Sequence, residues 1–438
     1  MTEATTARII RGRVLSFLDE PRLTGARALK IIEDGAVLVE DGRIAAVGES
    51  SAIRLRAPGA TVDDHTGKLV MPGFIDTHIH YPQTRVIASY GAQLLEWLQK
   101  YTFVEEQKLR DRPHADGVAR FFLDEMFRQG TTTAMVYCTV HPQSVDAFFE
   151  ESLRRGARMI AGKVMMDRNA PEGLTDNPQR GYDESKALLA HWSGRGRLDY
   201  AVTPRFAITS TEAQLEAAGA LMREHPGVYM QTHLDENRAE IAFVKELFPW
   251  TQTYLEVYER YGLLGPRSVF GHCVHLEQAE VEALAASGSV AAFCPTSNLF
   301  LGSGLFDMRR LHDHRVRVSL ATDVGGGTSY SMLQTANEAY KVLQMGGQSW
   351  PAAQAFYQMT LGNARALGLQ DRIGAIREGF EADMIVVDSR ATPAMAHRME
   401  SVEGDIAEEL FILMMMGDDR AISETYVAGR PVKSALAR

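Results

Sequence analysis

Apolar and polar positions follow two different rhythms along the chain. Toward both ends, short apolar runs are broken by glycine, proline and aspartate. The stretch "GAVLVEDGRIAAVG" (35–48) sets two such runs around Asp41-Gly42, a pair that favours a two-residue hairpin turn. "KLVMPG" before residue 74, with "ADMIVVD" and "ETYVAGRPV" near the other end, reads as further short strands. Residues 1–71 and 373–438 are therefore expected to fold together as one small β-sandwich domain built from both termini.

The middle of the chain alternates between strand and helix. Candidate strands are residues 73–80, 132–139, 158–167, 199–206, 228–234, 268–274, 290–298 and 318–324. In "GVARFFLDEMFRQG" the apolar Val118, Phe121, Phe122 and Met126 recur at helical spacing, and Gly130 follows as a stop. "SVDAFFEESLRRG" repeats the pattern with Val145, Phe148, Phe149 and Leu153. Eight strands, most separated by a helix, predict an α/β fold: a (β/α)8 barrel of the TIM type over residues 72–372, holding the catalytic site.

Composition narrows the picture. At 438 residues the chain exceeds one ordinary core and suits a barrel plus a smaller domain. The net charge of −10 is dispersed, which argues against nucleic acid or an anionic membrane as partner, since both select basic patches. Cys138, Cys273 and Cys294 are odd in number and form no CxxC pair, so a reducing cytoplasm is expected. "MTEATTARIIRGRV" lacks the apolar stretch of a signal peptide. The longest apolar run, residues 410–416, is too short to span a bilayer.

Barrel enzymes place their chemistry at the C-terminal ends of the strands, so polar residues there are the ones that matter. The first strand ends in "HIH", His78 and His80, which share one strand face, with Gln83 three residues on. The fourth ends in Arg205-Phe206, the fifth in His233 followed by Glu236, the sixth in His272, the seventh in "CPTSN" and the eighth in Asp323. Each taken singly is commonly structural; together on one rim they are not explained by packing. Three histidines and an aspartate suit one divalent metal such as zinc, with a position left for water. Glu236 is placed to carry a proton and His272 to polarise or orient the attacked group. A second HxH pair, His312 and His314, lies among charges and reads as a solvated helix end. Cys273 reads as a small buried thiol, and Lys163 as internal to the third strand. With no lysine ending the fourth strand, a lysine-bridged metal pair is not expected, and one metal is.

The stretches "PGFIDTHIHYPQ", "LLEWLQKYTF", "TPRF", "QTHLDEN", "CPTSNL" and "TDVGGGTSYSML" resemble the amidohydrolase superfamily over nearly the whole chain. "LLEWLQKYTF" and "TPRF" resemble its guanine-deaminating branch. That resemblance implies that His78, His80, His233 and Asp323 hold one zinc per chain, with iron as the other candidate metal. It implies that Gln83, Arg205 and Phe206 bind guanine, that Glu236 shuttles protons, and that His80, His233, His272 and Asp323 also border the substrate. A homodimer is implied as well. Val104 departs from the pattern, standing where proline is common. Two rival readings remain: a same-fold aminohydrolase acting on a pyrimidine, triazine or modified purine, and a barrel that has lost catalysis and serves in binding or assembly. The Gln83, Arg205 and Phe206 set discriminates against the first, and the full complement of ligands with Glu236 against the second.

Overall fold

The alternating apolar runs near the termini become paired strands. A computed structural model describes residues 7–91, 93–402 and 404–436. Residues 1–6 and 437–438, which belong to the expected terminal domain and include the start of the stretch read for a signal peptide, lie outside the described residues. The N-terminal strands are β1 (Arg8–Phe17), β2 (Leu29–Glu40), β3 (Arg43–Glu49) and β4 (Thr61–Pro72). Then come β5 (Phe74–His80), β6 (Thr131–Tyr137), β7 (Arg158–Gly162), β8 (Val164–Met165) and β9 (Leu198–Pro204). They are followed by β10 (Tyr229–Leu234), β11 (Ser268–His272), β12 (Val290–Phe293) and β13 (Arg317–Leu320). The last three are β14 (Met384–Val387), β15 (Ile422–Val427) and β16 (Arg430–Pro431).

Both termini contribute to one seven-stranded sheet of order β16-β15-β14-β4-β1-β2-β3. Asp41 and Gly42 take φ of 49° and 74° between β2 and β3, as a two-residue hairpin turn requires. The two-residue period divides each strand between two cores. Val70, Met384 and Val386 join an apolar cluster with Ile10, Val14 and Val37, whereas Leu69, Met71, Ile385 and Val387 join the main core that includes barrel residues. The sandwich expected from sequence thus takes the form of a single sheet, one face of which is pressed against the barrel.

The central strands run parallel in the order β5-β6-β7-β9-β10-β11-β12-β13, with the short β8 pairing on β9. The ring is completed past the end of β13. The backbone N–H of Asp323 donates to the His78 carbonyl at 2.9 Å, and that of His80 donates to the Val324 carbonyl at 2.8 Å. This seam carries three rim residues, so barrel closure and site assembly are one event.

Two details differ from the sequence reading. Strand β12 stops at Phe293, and Pro295–Phe300 is helical, with proline in the first turn where its missing N–H is harmless. In the helix Arg112–Arg128, Val118, Phe122 and Met126 are buried, but Phe121 is 52% exposed. Three residues beyond Val118 and one before Phe122, it falls on the side of the helix away from the barrel.

Candidate active site

The HxH pair on β5 does what period-two geometry requires: His78 and His80 share the inner face, and both are buried. The Nε2 atoms of both lie 3.3 Å from Asp323 Oδ1. His233 at the end of β10 brings its Nε2 to 3.3 Å from that of His80. Its Nδ1 lies 2.7 Å from the Arg205 carbonyl, which only accepts, so Nδ1 carries the proton and Nε2 keeps a free lone pair. His272 ends β11, with Nδ1 2.9 Å from Asn298 Oδ1 and Nε2 3.7 Å from Asp323 Oδ2. Ligand atoms of His78, His233, His272 and Asp323 all lie within 4.8 Å of one another. Close approach is built in: a Cβ at Gly271 would stand 2.4 Å from the His78 ring. His272 and Asp323 also hold φ of 74° and 52°, a left-handed conformation that costs about 1–3 kcal/mol per residue and gathers at functional sites.

These groups fit a metal. His78 Nδ1 has no hydrogen-bond partner and Nε2 faces the Asp323 carboxylate at 3.3 Å, although the side chain is fully buried. Burial holds His78 and His233 below the usual imidazole range and pushes His80 down to about 3, so all three present neutral lone pairs. Burial by itself would raise the Asp323 carboxyl, but hydrogen bonding to His78 and His80 keeps it well below the usual carboxylate range. Three imidazoles and a carboxylate are the donor set of catalytic zinc sites and of other divalent ions.

Glu236 follows β10 at the mouth of the helix Arg238–Leu247. Asn237 caps that helix, and the Glu240 carboxylate accepts from the backbone N–H of Glu236 and Asn237 at 3.0 and 3.1 Å. The loop is thereby fixed with Glu236 Oε2 3.3 Å from His272 Nε2 and Oε1 accepting from Ser303 Oγ at 3.1 Å. Burial, reinforced by the Asp323 carboxylate, pushes Glu236 up to about 8, in part opposed by the Ser303 bond. A carboxyl held near neutrality is suited to both accepting and donating a proton.

Gln83, Arg205 and Phe206 line the same small cavity as His80, Glu236 and Asp323. Leu94, Trp97 and Leu98, from the stretch that contains the "LLEW" motif, line another side of it. The Arg205 guanidinium lies 5.3 Å from the centre of the Phe103 ring and donates to Glu106 Oε2 at 2.6 Å. The Phe206 ring meets His233 edge-on at 6.3 Å.

All nine rim residues named from sequence are therefore brought together: His78, His80, Gln83, Arg205, Phe206, His233, Glu236, His272 and Asp323. Sequence reasoning missed Glu106, Ser303 and Tyr137, whose ring stacks on His80 at 4.3 Å. "KYTFVEEQ" carried a signal for Glu106, a carboxylate one turn after a motif already singled out. Val104 is 52% exposed and does not line the cavity. His314 is exposed and His312 half-buried on the helix Met308–Asp313, away from the site. Lys163 is buried in an ion pair with Asp176, and Cys273 lies in the main apolar core.

The barrel, the histidine and aspartate rim and the flanking terminal sheet define a metal-dependent hydrolase architecture, and the chain belongs to the Amidohydrolase family, whose sequence profile matches residues 69–432. Within that family it is 48% identical to guanine deaminase of Escherichia coli strain K12, over 99% of this chain and 99% of that protein. The solved E. coli guanine deaminase superposes with a TM-score of 0.94, covering 97% of this chain and 99% of that one at 48% identity. Guanine deaminase from C. acetobutylicum, solved with guanine bound in its active site, gives 0.86 at 26% identity, covering 98% and 100%.

Proposed function

We propose that this chain hydrolyses guanine to xanthine and ammonia, a step of purine breakdown. The observation that carries the reading is the meeting, in one buried cavity, of Gln83, Arg205 and Phe206 with the histidine–aspartate cluster and Glu236. The E. coli and C. acetobutylicum proteins of that name support it.

We assign His78, His80, His233 and Asp323 as ligands of one zinc per chain, with iron as the other candidate, and His272 as the neighbouring group that orients the substrate. Bound there, the metal supplies a nucleophilic hydroxide at neutral pH by lowering the pKa of water from about 15.7 to about 7. Arg205 and Gln83 donate to the O6 and N7 acceptors of the base, and Phe206 covers a ring face. Glu236 takes a proton from the attacking water and passes it to the ring nitrogen next to C2. It then takes the second proton from the new C2 hydroxyl and delivers it to the amine, so that the C–N bond breaks, ammonia leaves and a carbonyl forms at C2. Burial of Gln83, Arg205, Glu236 and His272 excludes bulk water from the reacting end.

Residues 72–372 form the catalytic unit in this reading. The three cysteines are free and buried, which supports a reducing cytoplasm, and no helix among the described residues is long and apolar enough to cross a membrane. The homodimer rests on the family resemblance. The test is to incubate purified protein with guanine, adenine and cytosine and to follow ammonia beside metal analysis. Ammonia from guanine alone, with about one metal per chain, is the expected result; release from another base in preference to guanine would overturn the assignment.

A further inference from the structure

The two side chains proposed to read the base are tied together by a third that does not border the cavity. Glu106 sits at the end of the helical turn Phe103–Glu106, and its side chain is 1% exposed. Its Oε1 accepts from Gln83 Nε2 at 2.9 Å, and its Oε2 accepts from Arg205 Nη1 at 2.6 Å. The far end of the Gln83 amide is held as well, since its Oε1 accepts from the Gly325 backbone N–H at 3.1 Å.

Three consequences follow from these contacts. A carboxylate accepts and a backbone N–H donates, so the Gln83 amide has one orientation, with its second N–H left over for a ligand. The Arg205 guanidinium, packed against Phe103, is likewise pinned at one nitrogen while its other N–H groups stay unspent. The buried cation is also neutralised, so the base-reading end of the cavity has no net charge.

We propose that Glu106 is a positioning and specificity residue: it aims Gln83 and Arg205 at the oxo-purine and, by cancelling the arginine charge, selects a neutral ring over an anionic one. This rests on the guanine reading above. Glu106 makes no contact with the reacting atoms and acts through its two partners. Urate keeps the O6 acceptor and the fused-ring outline but is anionic, so the change in its inhibition between wild type and variants reports on the charge at Arg205.

The experiment compares the metal-loaded wild-type chain with Glu106→Gln, Glu106→Asp and the double variant Glu106→Gln/Arg205→Met. Glu106→Gln should raise KM for guanine about 10- to 100-fold, the worth of a hydrogen bond to a charged group, and leave kcat within about threefold. Urate should inhibit it at least about 10-fold more tightly than wild type, because Arg205 is then an unpaired buried cation. The double variant should lose that gain in urate binding. Glu106→Asp retains the charge but is too short to span both partners, so guanine KM should rise with urate inhibition unchanged; this variant carries the test if Glu106→Gln folds poorly. Unchanged KM and unchanged urate inhibition in folded, metal-replete Glu106→Gln, or in its absence an unchanged guanine KM in Glu106→Asp, would overturn the proposal. A wild-type chain inactive on guanine would instead sink the functional reading, and the urate comparison would still report on the charge.

Discussion

At the residue scale the site divides its labour by environment. Glu236 is buried beside Asp323 and held near neutral pH, whereas Asp323 is kept ionised by its imidazole neighbours. Glu236→Gln is nearly isosteric and cannot accept a proton. It should keep fold and metal while kcat on guanine falls about 10²- to 10⁴-fold; near-normal kcat at saturating guanine would remove Glu236 from proton transfer. The ligands behave differently. His78→Ala or Asp323→Ala should lose bound metal and turnover together, read by metal analysis of the purified variants, and full occupancy in either would take that residue out of the ligand set. Arg205→Ala should weaken guanine turnover far more than any slow reaction on 2-aminopurine, which offers no O6 acceptor; equal losses on both would mean that Arg205 does not read the base. Most of these residues were legible in the sequence because strand ends and a period of two are local properties. Glu106 was missed: its place just after "KYTF" marked it as near the site, but its bond to Arg205 joins residues 99 positions apart, a pairing that local pattern does not announce. Ser303 is similar, 67 positions from Glu236.

At the scale of elements, hydrophobic period carried the barrel reading and strand length limited it. All eight strands lie where alternation placed them, because a barrel strand buried on both sides forms a short apolar block bounded by polar rim residues. The ends were less readable. β13 stops at Leu320, yet Asp323 and Val324 still bond across to His78 and His80, so the functional extension lies beyond the regular strand. The helix Arg112–Arg128 shows the same limit: counting apolar residues counted Phe121 with the core, whereas the buried stripe includes Phe122. The pair offers a direct test. Phe122→Ala should cost about 3–5 kcal/mol by emptying a fully buried position, and Phe121→Ala less than about 1 kcal/mol, compared by urea midpoints at constant m-value. Similar losses at both would mean that this helix buries a different face in solution.

At the scale of the whole molecule, the terminal sheet is fastened to the underside of the barrel by charge as well as by apolar contact. Arg158 on β7 and Arg197, just before β9, both bind Glu381, which stands before β14, and Arg197 also binds Asp383. Arg158 and Glu381 side chains are 3% and 6% exposed. Removing one partner of a buried pair leaves the other desolvated and unpaired, so Glu381→Gln should cost about 3–5 kcal/mol at pH 7. The loss should be felt in unfolding and not in turnover per folded molecule, because the rim lies at the opposite end of the strands. The pH dependence has a definite sign. Burial alone would raise Glu381, but hydrogen bonding to Arg158 and the charges of Arg158 and Arg197 hold it below its ordinary 4.5. A carboxyl depressed in the folded state adds stability that is complete above the unfolded value and fades as pH falls through the folded one. The gap in unfolding free energy between wild type and Glu381→Gln should therefore be full at pH 7 and shrink below about pH 4.5, read from urea unfolding at both ends of that range. A gap that widens on acidification would show that the Glu381 carboxyl is raised in the folded protein, and that the two arginines do not hold it ionised.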